Sequence, residues 1–337
     1  MKLEDVGVVE RARTDYFDVY RGIGILCMII CHVYIGFTFD KFVHAFHMPM
    51  FFFVTGYFFS IKKTSVFLKK KVRSLIVPYI FWGCFNLLVY GILNGTFYKE
   101  AFIHLIWNNT DGLMAVGAVW FLTALFWASM GYHCLQKLIK NKLFQSVIIC
   151  FIFCFGVYFR KFFSFSLPWA MEQACVAIGF IHLGKCTKER EILQENIISK
   201  LLNMRWYIMA VASLIDVLLI FLNGYVNMRI CEYSNIVLFA LSATLSIYLL
   251  INLSKLVCQF SSSCNFLKKI KQWLASVGKN SISYLCLNQI IICSLVKLLP
   301  FFNEYLRKAV IFIMVLFIIY FFDKLISSCR MKILIGK

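Results

Sequence analysis

"DVYRGIGILCMIICH", residues 18–32, decides how the chain is read. The stretch is apolar enough for lipid, yet it carries Asp18 and Arg21 at one end and His32 at the other. Arg21 and His32 are eleven positions apart. At about 100° per residue that is close to three whole turns, so both side chains share one helix face, about 16 Å apart along the axis. Asp18 sits one turn before Arg21 and is placed to pair with it. Ionisable groups inside a membrane span face a bundle interior or a wet cavity. The stretch therefore predicts a transmembrane helix with a functional stripe, Arg21 near one mouth and His32 past the midplane.

The rest of the 337 residues agrees with a membrane setting. They are 61% hydrophobic, with 36 Phe, and only 15% are charged. Soluble domains carry about one quarter charged residues, and a soluble core cannot hide this much apolar surface. Ten apolar spans can be traced, at 19–39, 42–61, 75–94, 114–135, 145–160, 168–184, 206–223, 233–253, 275–296 and 304–323. The expected fold is all-α: one polytopic membrane helical bundle over 1–337, with about ten transmembrane helices. The polar end segments, 1–17 and 324–337, are both expected on the cytoplasmic side. Pro78 and Pro168 fall in the first turn of a span, and Pro300 in a short outer loop, where the missing donor is harmless. Pro49 falls inside the second span and is expected to kink it.

The net charge of +19 suggests nucleic acid until its placement is considered. With a cytoplasmic N-terminus, inner segments hold 25 of the 35 Lys and Arg residues, outer loops and the outer ends of spans hold 8, and Arg21 and Lys279 lie just inside the inner ends of spans. That bias is the positive-inside signal, and it explains the charge without a nucleic-acid partner. The run "KKTSVFLKKKVR" at 62–73 is an inner-loop anchor that can also hold phosphate. The polar first 17 residues and the absence of a small-residue cleavage site predict that the first span is retained. The reading is a multi-pass protein of the cell inner (plasma) membrane, with the bilayer as its surroundings and no sign of oligomeric state. The 14 Cys lie mostly in spans without a C-x-x-C pair, and Cys27/Cys31 and Cys150/Cys154 lack further zinc ligands. Small buried thiols, and no metal, are expected.

Two more polar groups reach the depth of His32. His47 enters the second span from outside and Glu172 enters the sixth. By helix rise, all three lie within roughly 6–10 Å of the outer face. A histidine and a carboxylate at one depth can form a base with an orienting partner, so His32 is expected to pair with Glu172. Asp216, in "LIDVLLIFL", either lines the cavity or bonds a neighbouring helix.

These pieces resemble the acyltransferase-3 family of integral-membrane acyltransferases. "DVYRGIGILCMIICH" is similar to its opening helix, an Arg followed by ten residues and a His. "FHMPMFFFVTGYFF" (46–59), "RSLIVPYIFW" (73–82), "VWFLTALF" (119–126), "LPWAMEQACVAIGFIHLGK" (167–185) and "GKNSISYLCLNQ" (278–289) follow in the family's order. Among branches, the chain most resembles the fucose 4-O-acetylase-like proteins. It departs at Asn288, where the family motif often has His, and the fused esterase-like domain of some members is not expected here. The resemblance implies transfer of an acyl group, usually acetyl, from cytosolic acyl-CoA to a hydroxyl of a cell-surface or lipid-linked glycan. Acetyl-CoA is then a donor substrate, and no metal is called for. Arg21, Lys71 and Arg73 are the candidate phosphate-binding residues, and His32 with Glu172 the catalytic pair. His47, Trp120 and Asn288 are candidates for substrate binding, with Asn288, Ser281 and Trp120 near the developing oxyanion. Buried His, Asp and Glu in ten spans would also suit a proton-coupled small-solute exporter, although the two halves show no repeat. A polymerase or flippase for lipid-linked sugars commonly has large outer loops, and these are short.

Overall fold

The computed structural model describes residues 3–97, 99–113, 115–261, 264–300, 303–328 and 332–337, with side chains for all of these except 3–14 and 327–328. Parts of the two polar end segments, 1–2 and 329–331, lie outside the described residues. Among the described residues there is no strand, only an isolated bridge between Asn227 and Glu232.

The helices run α1 Leu3–Val33, α2 Phe37–His44, α3 His47–Tyr57, α4 Thr64–Lys71, α5 Val77–Asn94, α6 Lys99–Ile106, α7 Trp120–Leu138 and α8 Lys142–Phe162. They continue with α9 Met171–Ile192, α10 Asn196–Leu202, α11 Trp206–Asn223, α12 Ile236–Phe260, α13 Asn265–Lys279, α14 Ser281–Leu298 and α15 Glu304–Ser328. Among the described residues, eight helical segments are long and apolar enough to cross a bilayer. They match eight of the ten expected spans: the first, third, fourth, fifth, seventh, eighth, ninth and tenth.

The other two differ for physical reasons. The second span is broken into α2 and α3, of 8 and 11 residues. Neither reaches across 30 Å of hydrocarbon at 1.5 Å per residue. The break falls at Ala45–Phe46, so Pro49 lies in the first turn of α3 and kinks nothing. The sixth span is α9, 22 residues long, but its second half carries Lys185, Lys188, Glu189, Arg190 and Glu191. Broken and polar segments are tolerated at membrane depth where protein surrounds them. Helix α3 and the apolar first half of α9 pack side by side and are largely buried in the bundle, while the charged second half of α9 stays half-exposed.

Their closeness depends on two glycines. A β-carbon on Gly56 would stand 1.8 Å from the Ile181 carbonyl oxygen, and one on Gly184 would stand 2.0 Å from that of Phe53. Small residues let membrane helices approach to backbone contact, which matters because lipid removes the hydrophobic drive for helices to associate. Polar side chains add the remaining cohesion. Ser246 Oγ donates to Asp216 Oδ2 at 2.5 Å, so Asp216 bonds a neighbouring helix and does not line the cavity. Asn86 Nδ2 donates to the Cys286 carbonyl at 2.6 Å, and Ser283 Oγ to Asp323 Oδ1 at 2.7 Å.

Two boundaries shift. The ninth span starts at Ser281, because Asn280 ends α13 and a new helix begins. Helix α13 is a separate amphipathic element laid along α1. Pro78 lies inside one continuous rod from Thr64 to Asn94, not in its first turn. Proline cannot donate to the carbonyl four residues back, here Ser74. The chain absorbs the defect with a π-turn at Val72–Ile76 just before it. A C-terminal 3-10 turn, Lys332–Ile335, packs over this region, with Trp82 Nε1 donating to the Leu334 carbonyl at 2.7 Å.

Candidate active site

Helix α1 sits against α3, α12, α13 and α14. Its Arg21–Ile25–Met28–His32 stripe lines a file of three adjoining cavities. The first, about 290 Å³, is lined by Arg21, Lys71, Thr55, Phe58, Phe121 and Ser281 among others. A neck of about 30 Å³ follows, bounded by Ile25, Met28, Met48, Phe51 and Leu285. It shares Phe51, Phe121, Ser281 and Ile282 with the first cavity. The third, about 150 Å³, holds His32, His44, His47, Trp120, Arg229 and Gln289, and shares Met28, Met48 and Leu285 with the neck. The eleven-residue spacing thus puts Arg21 and His32 at opposite ends of one path.

Arg21 Nη1 donates to Asp18 Oδ1 at 2.8 Å, the pairing expected from their i, i+3 spacing. Lys279 Nζ lies 3.5 Å from the other Asp18 oxygen, so one carboxylate braces two cations at this mouth. The guanidinium also sits 5.6 Å from the centre of the Phe58 ring, which lines the same cavity.

At the far end, His32 Nδ1 is 2.5 Å from Asn288 Oδ1. Asn288 Nδ2 donates to the carbonyls of Tyr284 and Leu285, each at 2.8 Å. Those two bonds fix which end of the amide is nitrogen. The oxygen must then face the imidazole, so Nδ1 carries the proton and Nε2 keeps its lone pair. Asn288, one of the residues expected to touch substrate, instead orients the histidine.

The other expected residues divide. His47 and Trp120 line the cavity with His32, and Lys71 lines the cavity with Arg21. Arg73 is on the exposed side of the π-turn and reaches the Lys337 carbonyl at 3.5 Å, not the first cavity. Glu172 does not meet His32. Its carboxylate accepts from the Leu167 amide at 3.2 Å and from Gln173 Nε2 at 3.5 Å. Gln173 Nε2 also donates to the Arg229 carbonyl at 2.8 Å, so Glu172 stands behind the cavity wall. Helix rise gave an expected depth but could not give its position around the bundle. Ser281 lines the neck and the first cavity.

Several groups in and behind this cavity were not anticipated. Asp40 and His44 fall four residues apart, and with the anticipated His47 at i+7 they share a one-face periodicity that was legible. His44 Nδ1 lies 3.2 Å from Asp40 Oδ1, and Tyr225 OH donates to Asp40 Oδ2 at 2.9 Å. Burial works to raise the Asp40 carboxyl, but these hydrogen bonds outweigh it and hold the group below the usual carboxylate range. The donor atoms of Cys31, Asp40 and His44 lie within 4.8 Å of one another, a set that could hold a metal, although His44 and Tyr225 already engage both carboxylate oxygens. Gln289 accepts from the Ala118 amide at 2.9 Å. Arg229 comes from the α11–α12 connection, where no periodicity pointed to it.

A family model described as an acyltransferase domain, acyltransferase-3, matches residues 14–323. No curated protein and no solved structure matches the chain. The matched residues run from before the Arg21 mouth to near the end of α15, so they include every wall of the three cavities. The chain belongs to the acyltransferase-3 family of membrane acyltransferases.

Proposed function

We propose that the protein is an O-acyltransferase, most simply an O-acetyltransferase. It takes the acyl group from cytosolic acyl-CoA and places it on a hydroxyl of a cell-surface or lipid-linked glycan. The observation that carries this reading is the file of cavities from Arg21 and Lys71 to His32 along one face of α1. Coenzyme A cannot cross lipid, since stripping water from its phosphates costs many kcal/mol. It need not cross. Its phosphates stay at the basic mouth, where Arg21 offers a planar fork and Lys71 a point charge. Its slender pantetheine arm extends through the neck. Met28 and Met48 bound that neck, and methionine's unbranched chain yields to a passing ligand.

In the reaction, His32 Nε2 takes the proton of the acceptor hydroxyl. The hydroxyl oxygen bonds to the thioester carbon, the carbon–sulfur bond breaks, and the proton passes to the departing thiolate. The products are an ester and free coenzyme A. Imidazole suits the task because it gains and returns protons near neutral pH. Asn288 holds the tautomer this needs. Glu172 supports the wall through Gln173. A cytoplasmic first mouth, in an inner membrane, accords with the excess of inner Lys and Arg.

The test uses the purified protein in lipid nanodiscs with radiolabelled acetyl-CoA and glycan acceptors. His32→Ala should fold and bind acetyl-CoA while transfer falls by about 10²- to 10⁴-fold. Transfer by that variant at the wild-type rate would overturn the mechanism.

A further inference from the structure

Three histidines and Arg229 line the cavity around His32, and no carboxylate lines it. Asp40 stands behind His44, its oxygens engaged by His44 and Tyr225. Arg229 is held in place from several sides. Its Nε donates to the Thr110 carbonyl at 2.8 Å, its amide to Asn227 Oδ1 at 3.1 Å, and its own carbonyl accepts from Gln173. The guanidinium packs close against Gly117, where a β-carbon would stand 2.3 Å from Nη1 and 2.8 Å from Cζ. With Arg229 held as it is, a larger residue there would collide with it. Among the described residues the two terminal nitrogens have no hydrogen-bond partner and no carboxylate within ion-pair reach. Burial works to lower the guanidinium's affinity for its proton, and the exposed Asp111 offsets this only through space.

A fixed, partly desolvated guanidinium with a free fork is costly unless an anion completes it. A wall built for a neutral sugar would be expected to offer carboxylates to accept hydroxyl protons. This wall offers no carboxylate, and it holds a guanidinium whose fork is unfilled. Resting on the acyltransferase reading above, we propose that the acceptor is anionic, with a carboxylate or phosphate close to the hydroxyl that is acylated, and that Arg229 binds that group bidentately. The anion then fixes which hydroxyl meets His32.

Binding is measured in nanodiscs without acyl-CoA, so the result does not depend on turnover. The probes are a glucuronic-acid oligosaccharide, glucose 6-phosphate and a neutral glucose oligosaccharide of matched length. The expected result is tighter binding of at least one anionic probe than of the neutral one, by about 10-fold or more. Arg229→Gln should abolish that preference. Arg229→Lys, which keeps the charge but loses the fork, should retain part of it and guards against a folding failure. The carboxylate and phosphate arms separate the two sources of charge. Equal or tighter binding of the neutral probe, or an unchanged preference in Arg229→Gln, would overturn the proposal. So would transfer assays in which Arg229→Gln lowers the rate on neutral and anionic acceptors equally, since Arg229 would then serve the reacting carbonyl. Loss of acetyl transfer in His32→Ala is a separate result and bears only on the acyltransferase reading.

Discussion

At the scale of single residues, the unusual feature is a histidine oriented by an amide. A carboxylate partner would place a charge beside the imidazole; Asn288 fixes the ring and its tautomer without one. Asn288→Leu keeps the volume and removes the acceptor. Losing such a bond to a buried group costs about 1–3 kcal/mol, so the rate constant for transfer should fall about 10- to 100-fold. The apparent affinity for acetyl-CoA, which the proposed reaction sets at the Arg21 mouth, should barely change. Steady-state kinetics in nanodiscs separates the two, and a pure loss of acetyl-CoA affinity would contradict the assignment. Asp40 gives a second prediction. Its carboxyl is held below its ordinary value, so near pH 4 the folded protein binds fewer protons than the unfolded chain. The stabilisation is therefore full above about pH 4 and fades as pH falls through the native value. Tyr225→Phe removes one of the hydrogen bonds responsible, so its acid unfolding should begin at higher pH than wild type. Identical acid transitions would show that Tyr225 contributes nothing to that carboxylate.

At the scale of elements, the arrangement rests on α3 and α9 lying close enough for backbone contact. Gly184→Ala places a methyl against the Phe53 carbonyl and the Tyr57 amide, neither of which is a flexible side chain. Overpacking of this kind costs about 1–3 kcal/mol. Thermal unfolding in detergent should register it, and an unchanged midpoint would mean the two helices can slide apart freely. Helix α3 carries the wall residue Met48 and opens with His47, so transfer should fall as well. Much at this scale was legible. Hydropathy and length located eight crossing segments, and the Arg21–His32 spacing gave the face of α1 that lines the path. The broken second span was not legible, because Ala45 and Phe46 are themselves apolar and no Gly or Pro stands at the two-residue turn that interrupts the helix. The Glu172 pairing failed for a related reason. Helix rise reports depth, while azimuth around a bundle depends on which helices touch. Arg229 was hidden because loops carry no period.

At the scale of the whole molecule, one end of the path is set among Lys and Arg and the other among histidines and Arg229. The path narrows to about 30 Å³ between them, roughly one water's share of liquid volume. In the proposed reaction a constriction of that size passes a thin thioester arm when its methionines move, but not a nucleotide or a sugar ring. The proposal therefore has the two substrates arriving from opposite sides. Reconstitution into sealed vesicles makes this testable, with orientation determined by protease access to the exposed basic stretch that leads into α4, 60–64. Acetyl-CoA supplied on the side of that stretch, with acceptor only on the other, should support transfer at close to the rate seen when both substrates are on both sides. Acetyl-CoA supplied only on the opposite side should support none, because its phosphates would face the neck from the wrong end. Transfer requiring both substrates on one side would mean that the neck stays closed during the reaction. The Arg21 cavity would then lose its role as the donor's entrance.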